Sequence, residues 1–318
     1  MKLIVQIPCF NEEHTLPQTL ADIPRQIKGV ETVEILIIDD GSTDRTVAVA
    51  RELGVDHIVS HSRNRGLALT FMTGIEACLR LGADIIVNTD GDNQYCGADI
   101  PALVQPILDK KFDIVIGDRQ TDTIDHFGPV KKKLQKTGSM LVRWLSQTKV
   151  PDAVSGFRAF SRDAAMQINI VSRYSYTIET VIQAGNKKLS IASIPVRTNP
   201  KTRDSRLIKS IPNFIFNQIN TMVRMYAMFK PLKAFFIVGG LCILFGLIPS
   251  ARFLFYYLAG KGDGHIQSLI MAAVLFIVGF QVLVLGLLGD LISHNRKLIE
   301  ETLLRVRRME LDKDKNDD

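Results

Sequence analysis

Cysteine is scarce in this chain. The four residues, Cys9, Cys78, Cys96 and Cys242, form no CxxC pair and no cluster with histidine. They read as small buried residues of a reducing compartment, not as a metal or redox motif. His14, His57 and His61 are scattered without metal-ligand spacing, and the single tryptophan, Trp144, reads as buried or interfacial. No internal repeat occurs, and the one low-complexity stretch is the charged "ELDKDKNDD" at the end. Strong charge of one sign is also lacking. A net charge of +6 does not select nucleic acid over a membrane surface or a phosphorylated substrate. With 46% hydrophobic and 23% charged residues the chain is not a disordered one. Its opening, "MKLIVQIP", has one Lys and an apolar run stopped by Pro8, too short for a signal peptide. The residues ahead of any membrane segment are therefore expected in the cytoplasm.

Two long stretches lack charge altogether. Residues 234–251 contain none, and after Arg252 the apolar character resumes through Ala259; residues 266–289 again contain none. Each run is near the ~20 residues that cross a bilayer core as a helix. The short polar "GKGDGH" lies between them, so the pattern predicts a transmembrane hairpin with both ends on one side. Arg252 is placed near the outer interface, where it can snorkel. Lys230 and Lys233 precede the first run, and Arg296, Lys297, Arg305, Arg307 and Arg308 follow the second; the turn has Lys261 offset by Asp263. The excess of Lys and Arg puts both flanks, and so both termini, on the cytoplasmic side. The expected localisation is integral to a cell or endoplasmic-reticulum-type membrane.

Before the hairpin, strand and helix patterns alternate. "KLIVQIP", "VEILIIDD", "DHIVSH", "DIIVNTD" and "FDIVIGDR" read as strands, with helices between them such as "GLALTFMTGIEACLRLG". This predicts an α/β fold with a largely parallel sheet, whose ligands bind beyond the carboxyl ends of the strands. Further on, "VPDAVSGFRAFSRDAA" predicts a short strand feeding a helix, "SYTIETVIQAGNKK" a helix and "LSIASIPVRTN" a strand. The segment "SRLIKSIPNFIFNQINTMVRMYAMFK" predicts amphipathic helices at the membrane surface. Met222, Met225 and Met228 within it read as a packed or lipid-facing stripe.

Polar residues gather at one edge of that sheet: "PCFNEE", "DDGSTD", "DGDNQ" and "GDR" all follow strands. Asp90 and Asp92, separated by Gly91, stand where the fourth strand leaves the core. Paired hard oxygens in a turn suit Mg²⁺ or Mn²⁺ bridged to phosphate. Gly91 lets the backbone approach a ligand and is expected to make the turn more flexible.

Six segments, "IPCFNEEHTL", "IIDDGSTDRT", "RNRGLALTFMTGIEAC", "NTDGDNQY", "GDR" and "VSGFRAF", occur in the order seen in family-two glycosyltransferases with the GT-A fold. Over residues 2–230 the chain most resembles the polyprenyl-phosphate glycosyltransferase group. The resemblance implies a GT-A, Rossmann-like nucleotide-diphospho-sugar transferase sheet, then amphipathic interface helices and a two-helix transmembrane hairpin. The boundaries that follow are a catalytic domain at 1–204, interfacial helices at 205–230, spans at 231–259 and 266–290 around an outer turn at 260–265, and a charged tail at 291–318. It implies a nucleotide-sugar donor, UDP- or GDP-linked, lined by Pro8, Phe10, Asn11, Glu12, Asp39, Asp40, Asp90 and Gly91. It implies a metal, Mg²⁺ or Mn²⁺, held by Asp90 and Asp92 with Gln94 as helper. Asn93-Gln94-Tyr95-Cys96 departs from the commoner Leu-Gln-His-Pro wording, which leaves the role of Tyr95 open.

The implied acceptor is a polyprenyl phosphate, dolichyl or undecaprenyl, at the cytoplasmic face. An ionised phosphate needs no strong base, but two anions must be brought together, so cations are required. Arg119 and Arg158 are the first candidates, with Lys131, Arg203 and Arg206 behind them, since Arg grips phosphate with a bidentate fork. Lys131 to Lys133 read equally as a solvated or lipid-facing patch. The expected catalytic set is Asp92, Arg119, Asp152 and Arg158, with inversion at the anomeric carbon. Asp152 and Ser155 would shape the acceptor side, and Glu179 would cap a helix or hold an Arg. A diacylglycerol or glycan hydroxyl acceptor is the alternative, and would need a general base, for which Asp152 is the candidate. The QxxRW-type motif of processive synthases is not found. A non-catalytic scaffold is a third class, disfavoured because both acids of the pair are present. The expected partners are donor, acceptor and bilayer, without nucleic acid, with self-association through the membrane helices a further expectation.

Overall fold

The computed structural model describes residues 1–120, 142–143, 145–171, 176–200, 211–260 and 265–317. Lys131, Arg203 and Arg206 lie outside the described residues, as does Trp144.

A seven-stranded sheet has the order β3-β2-β1-β4-β6-β5-β7. Its strands are β1 (Lys2–Cys9), β2 (Thr32–Asp39), β3 (His57–Ser60), β4 (Ile85–Asn88), β5 (Ile114–Asp118), β6 (Arg158–Ser161) and β7 (Ile191–Pro195). All pairings are parallel except those of β6, which runs antiparallel to both β4 and β5. The sequence predicted the strand at the "GFRAF" segment but not that it reverses direction and wedges between β4 and β5.

Central strands here are apolar on both faces because helices cover both sides. In β1, Leu3, Val5 and Ile7 enter one cluster with Ile35, Ile37, Val87, Leu103 and Phe157, while Ile4 is equally buried on the other face. The helices of this region are α1 (Leu16–Ala21), α2 (Thr46–Glu52), α3 (Leu67–Arg80), α4 (Ile100–Leu108), α5 (Arg162–Gln167) and α6 (Thr177–Asn186). Helix α5 starts where the Ser161 side chain accepts from the Ala164 N–H at 3.2 Å. Gln6, a polar residue inside the apolar run of β1, is fully buried and donates to Asn88 Oδ1 of β4 at 2.9 Å. The two are aligned in register, so the polar pair is satisfied without water.

Helix α7 spans Ile211–Phe229; in it Phe216 and Ile219 are exposed, whereas Met222 and Met225 are buried. Helices α8 (Pro231–Leu258) and α9 (Ile266–Asp317) are both long and apolar enough to cross a membrane. They pack through glycines. A Cβ on Gly239 would lie 2.8 Å from the Gly279 carbonyl oxygen, and one on Gly279 would lie 2.7 Å from Ile243 Cγ1. Helix α9 does not stop at residue 290 but continues unbroken to Asp317. The chain forms two compact units, one of Met1–Met222 with Leu304–Asp318 and one of Val223–Leu303. Within the first unit, Leu311 is buried, Arg307 donates to the Met166 carbonyl at 2.9 Å, and Arg308 lies 3.6 Å from Asp163. The stretch that composition marks as a charged tail thus has a packed, partly apolar contact.

Candidate active site

The carboxyl ends of β1, β2, β4 and β5 carry the polar loops, because parallel strands deliver their following residues to one edge. At the end of β1, Asn11 adopts a left-handed backbone with φ of 56°. Its N–H donates to Ser42 Oγ at 2.8 Å, and its side-chain oxygen accepts from the Thr43 N–H at 2.8 Å. The Glu12 N–H donates to Thr46 Oγ1 at 2.8 Å. The loops after β1 and β2 are therefore laced to each other. Asp39, which accepts from the Ser42 N–H at 3.1 Å, lies at this seam, paired in register with Cys9.

Asp40 has a different place from the one its sequence position suggests. It is buried, with Oδ1 accepting from the Arg65 N–H at 2.8 Å and Oδ2 from the Gly66 N–H at 2.8 Å. His61 Nδ1 lies 2.8 Å from Asp40 Oδ1. This carboxylate pins the loop before α3 to the end of β2, and its oxygens are occupied by protein donors.

Asp90 is half-buried and Asp92 buried in the turn after β4. Gln94 donates its backbone N–H to Asp92 Oδ1 at 3.2 Å and its side-chain N–H to Oδ2 at 2.9 Å. Gln94 thus orients Asp92, leaving the amide oxygen as its ligand-type atom. Gly91 is held, not loosened. Its carbonyl oxygen lies 2.8 Å from Thr15 Oγ1 and 3.3 Å from Thr19 Oγ1. A Cβ there would meet Cys9 Sγ at 3.0 Å and Glu12 Cγ at 3.4 Å. The turn is seated on β1 and α1, contrary to the flexibility expected of a glycine.

Arg119 and Asp152 form a bidentate ion pair, Nε to Oδ2 at 2.7 Å and an Nη to Oδ1 at 3.0 Å. Asp152 is 2% exposed. Burial pushes its carboxyl up, but the Arg119 charge and hydrogen bonds outweigh that and hold it below the usual carboxylate range. Burial works to lower the Arg119 guanidinium, and the neighbouring Tyr95, Asp152 and Asp90, in that order, outweigh it and raise it.

Arg158 corrects its sequence reading as a phosphate ligand. It is fully buried, with Nε donating to the Ser155 carbonyl and its two terminal nitrogens to the carbonyls of Thr177 and Ala153, each at 2.8 Å. Burial pushes its guanidinium down to about 10. The arginine at the start of β6 is enclosed by the loop before β6 and the start of α6, which it ties together. Glu179 is buried as well and accepts from the Val171 N–H at 2.9 Å.

Three residues that sequence reasoning did not place complete the site. Asn88 donates to the Gly156 carbonyl and to the Tyr176 hydroxyl, both at 2.8 Å. Tyr95 is buried, stacks on Phe157 with ring centroids 5.2 Å apart, and its hydroxyl accepts from the Gly156 N–H at 2.8 Å. Tyr176 stacks on Phe71 with centroids 3.9 Å apart. Burial, the largest cause, pushes both phenols up, so both stay protonated. Gln6 was the available signal for Asn88, since a buried amide in one strand calls for a polar partner beside it.

Among the described residues no group of three or more His, Cys, Asp or Glu side chains is arranged to enclose a metal ion. Two carboxylates and an amide oxygen at a strand end still fit Mg²⁺ or Mn²⁺, which keep waters and take phosphate oxygens in place of an all-protein cage. In an open α/β sheet ligands bind beyond the carboxyl ends of the strands, which is where these acidic and basic side chains lie.

The chain belongs to glycosyl transferase family 2, whose sequence model matches residues 4–168, and it is a glycosyltransferase. A second model, the GtrB C-terminal hairpin, matches residues 230–294, which include α8 and the first part of α9. Among curated relatives is a UDP-N-acetylglucosamine–dolichyl-phosphate N-acetylglucosaminyltransferase from Methanococcus voltae, 29% identical over 60% of this chain and 83% of that protein. Another is the polyprenol monophosphomannose synthase of Mycolicibacterium smegmatis, 26% identical over 61% of this chain and 76% of that protein. A crystal structure of glucosyl-3-phosphoglycerate synthase from Mycobacterium tuberculosis, with Mn²⁺, UDP-glucose and phosphoglyceric acid, shares the fold. Its TM-score is 0.57, at 21% identity, over 71% of this chain and 80% of that one.

Proposed function

We propose that this glycosyltransferase moves a sugar from a nucleoside-diphosphate sugar to a polyprenyl phosphate, with inversion at the anomeric carbon. The observation that carries the reading is the state of Asp152. Both its oxygens are bound by Arg119, and its carboxyl is held below the usual range. A carboxylate so committed is a poor general base, so a hydroxyl acceptor is poorly served. A phosphate acceptor arrives ionised and asks instead for a cation, which Arg119 supplies at the same spot. The named activities of two relatives, both on polyprenyl-type phosphates, support the same choice.

Asp90 and Asp92 would hold Mg²⁺ or Mn²⁺, with the Gln94 amide orienting Asp92. When bound, the ion neutralises charge that builds on the departing diphosphate. The chain's own residues do the rest. The Asn11–Glu12 and Asp39–Ser42 loops form a wall for base and ribose, with Pro8 and Phe10 beside them. Arg119, anchored by Asp152, presents positive charge to the incoming phosphate. Apolar helices α8 and α9, with Phe216 and Ile219 exposed on α7, would keep the enzyme at the bilayer where such a lipid resides. The Lys and Arg flanking the hairpin favour the cytoplasmic face for the site.

The test is transfer of label from UDP- and GDP-sugars to a short polyprenyl phosphate by the purified full chain, with mass spectrometry of the lipid. Formation of a phosphate-linked glycolipid is expected. Label on diacylglycerol alone would give the acceptor reading up. In the same assay Asp92→Ala should lose about a hundredfold or more in transfer rate, the scale of removing a main electrostatic stabiliser; undiminished transfer would end its metal role.

A further inference from the structure

Gly156 sits where the two halves of the site meet. Its N–H is donated to the Tyr95 hydroxyl at 2.8 Å, and its carbonyl accepts from Asn88 at 2.8 Å and from the Tyr176 hydroxyl at 3.3 Å. A Cβ at this position would lie 3.0 Å and 3.1 Å from the two oxygens of Asp90, and 3.0 Å from the Tyr176 hydroxyl. One glycine backbone is thus gripped on both sides of its peptide planes and rests against a carboxylate of the metal turn. The loop that leads into it begins at Asp152, the residue that fixes Arg119.

Tyr95 spans this junction. It follows the Asp90–Asp92 turn by three residues, its ring stacks on Phe157, and its backbone bridges to Thr198 beyond β7. Its hydroxyl reaches the loop that carries Asp152 from the side of the metal turn. We propose that Tyr95 is a positioning residue whose hydroxyl, through the Gly156 N–H, sets the spacing between the Asp90–Asp92 turn and the Arg119–Asp152 pair. Donor and acceptor phosphates bind on opposite sides of that spacing, so it governs the alignment of the in-line attack. The inference rests on the donor and acceptor sides assigned above. It gives the chain's departure from the His-containing family wording a physical role: a phenol is long enough to reach across, and its oxygen accepts where a buried N–H would otherwise be orphaned.

The test compares wild type with Tyr95→Phe in the full chain, on whichever acceptor the wild type glycosylates, so that an error in the acceptor does not decide the outcome. Phenylalanine keeps the stack on Phe157 and deletes only the hydroxyl. The expected result is a fall in kcat of about ten- to a hundredfold, the scale of a small misalignment of reacting groups. The affinity for the nucleoside diphosphate with Mg²⁺, measured by calorimetry, should stay within about twofold, since the carboxylates are untouched. A kcat equal to wild type overturns the proposal. So does an equal loss of nucleotide affinity, which would mark a general structural role. Gly156→Ala gives an independent reading with Tyr95 in place. Its methyl group presses on Asp90, and the Mg²⁺ concentration for half-maximal activity should rise severalfold; an unchanged Mg²⁺ dependence counts against the junction.

Discussion

Gly91 shows how a residue's meaning depends on what fills the space beside it. In sequence it reads as a hinge between two acids. In the structure the missing Cβ is the space used by Cys9 Sγ, and the carbonyl is anchored by Thr15 and Thr19. No left-handed backbone is involved, so the constraint is steric only. Gly91→Ala should therefore lower stability by about 1–3 kcal/mol through overpacking. Adding Cys9→Ala should recover most of it, read by denaturant unfolding of both variants. Failure of the pair to recover would show that Glu12 or the Pro8 carbonyl is the true obstacle. The acids were legible because an apolar strand ending in carboxylates is a local pattern. Arg158 was not. An arginine in a polar motif looks the same in sequence whether its guanidinium meets phosphate or three backbone carbonyls, and only the placement of β6 distinguishes them. Tyr95 was illegible for a related reason: its partner lies 61 residues away.

At the scale of elements, the first five strands and the two apolar helices were readable from period and run length. The direction of β6 was not. Hydrophobic patterning reports which residues are buried and is silent on strand polarity, which here depends on a long connection between β5 and β6. The hairpin illustrates a different principle. Between two helices in lipid the hydrophobic effect is weak, so close packing at small residues carries the association. Gly279 is tightly enclosed by Ile243 and the Gly239 carbonyl, whereas nothing lies within 4 Å of a Cβ on Gly240. Gly279→Val should lower the thermal midpoint of the detergent-solubilised protein, with a loss of about 1–3 kcal/mol expected for such overpacking. Gly240→Val should leave it unchanged. The opposite ranking would mean that α8 and α9 do not meet along this line.

At the scale of the whole molecule, composition is silent on what the last residues touch. The last residues look like a solvated tail because they are charged, yet Leu311 is buried and Arg307 is bonded to the Met166 carbonyl. One buried leucine within a charged segment is too small a signal for composition to register. Deleting residues 304–318 should destabilise the first unit by about 2–3 kcal/mol, the value of a buried leucine with its neighbours. Thermal unfolding of the shortened protein against the full chain measures it, and an unchanged midpoint would reduce the contact to an ornament of the helix end.

The grouping of Leu304–Asp318 with Met1–Met222 bears on how such a protein can be recombined. The hairpin is an insertion into the catalytic unit, not an appendage to it. A chimera that borrows another membrane hairpin by a single junction near residue 223 also replaces the helical segment that bears Leu311 and the Arg307 contact to Met166. A faithful exchange needs two junctions, one on each side of Val223–Leu303, so that the catalytic unit keeps both of its stretches of chain.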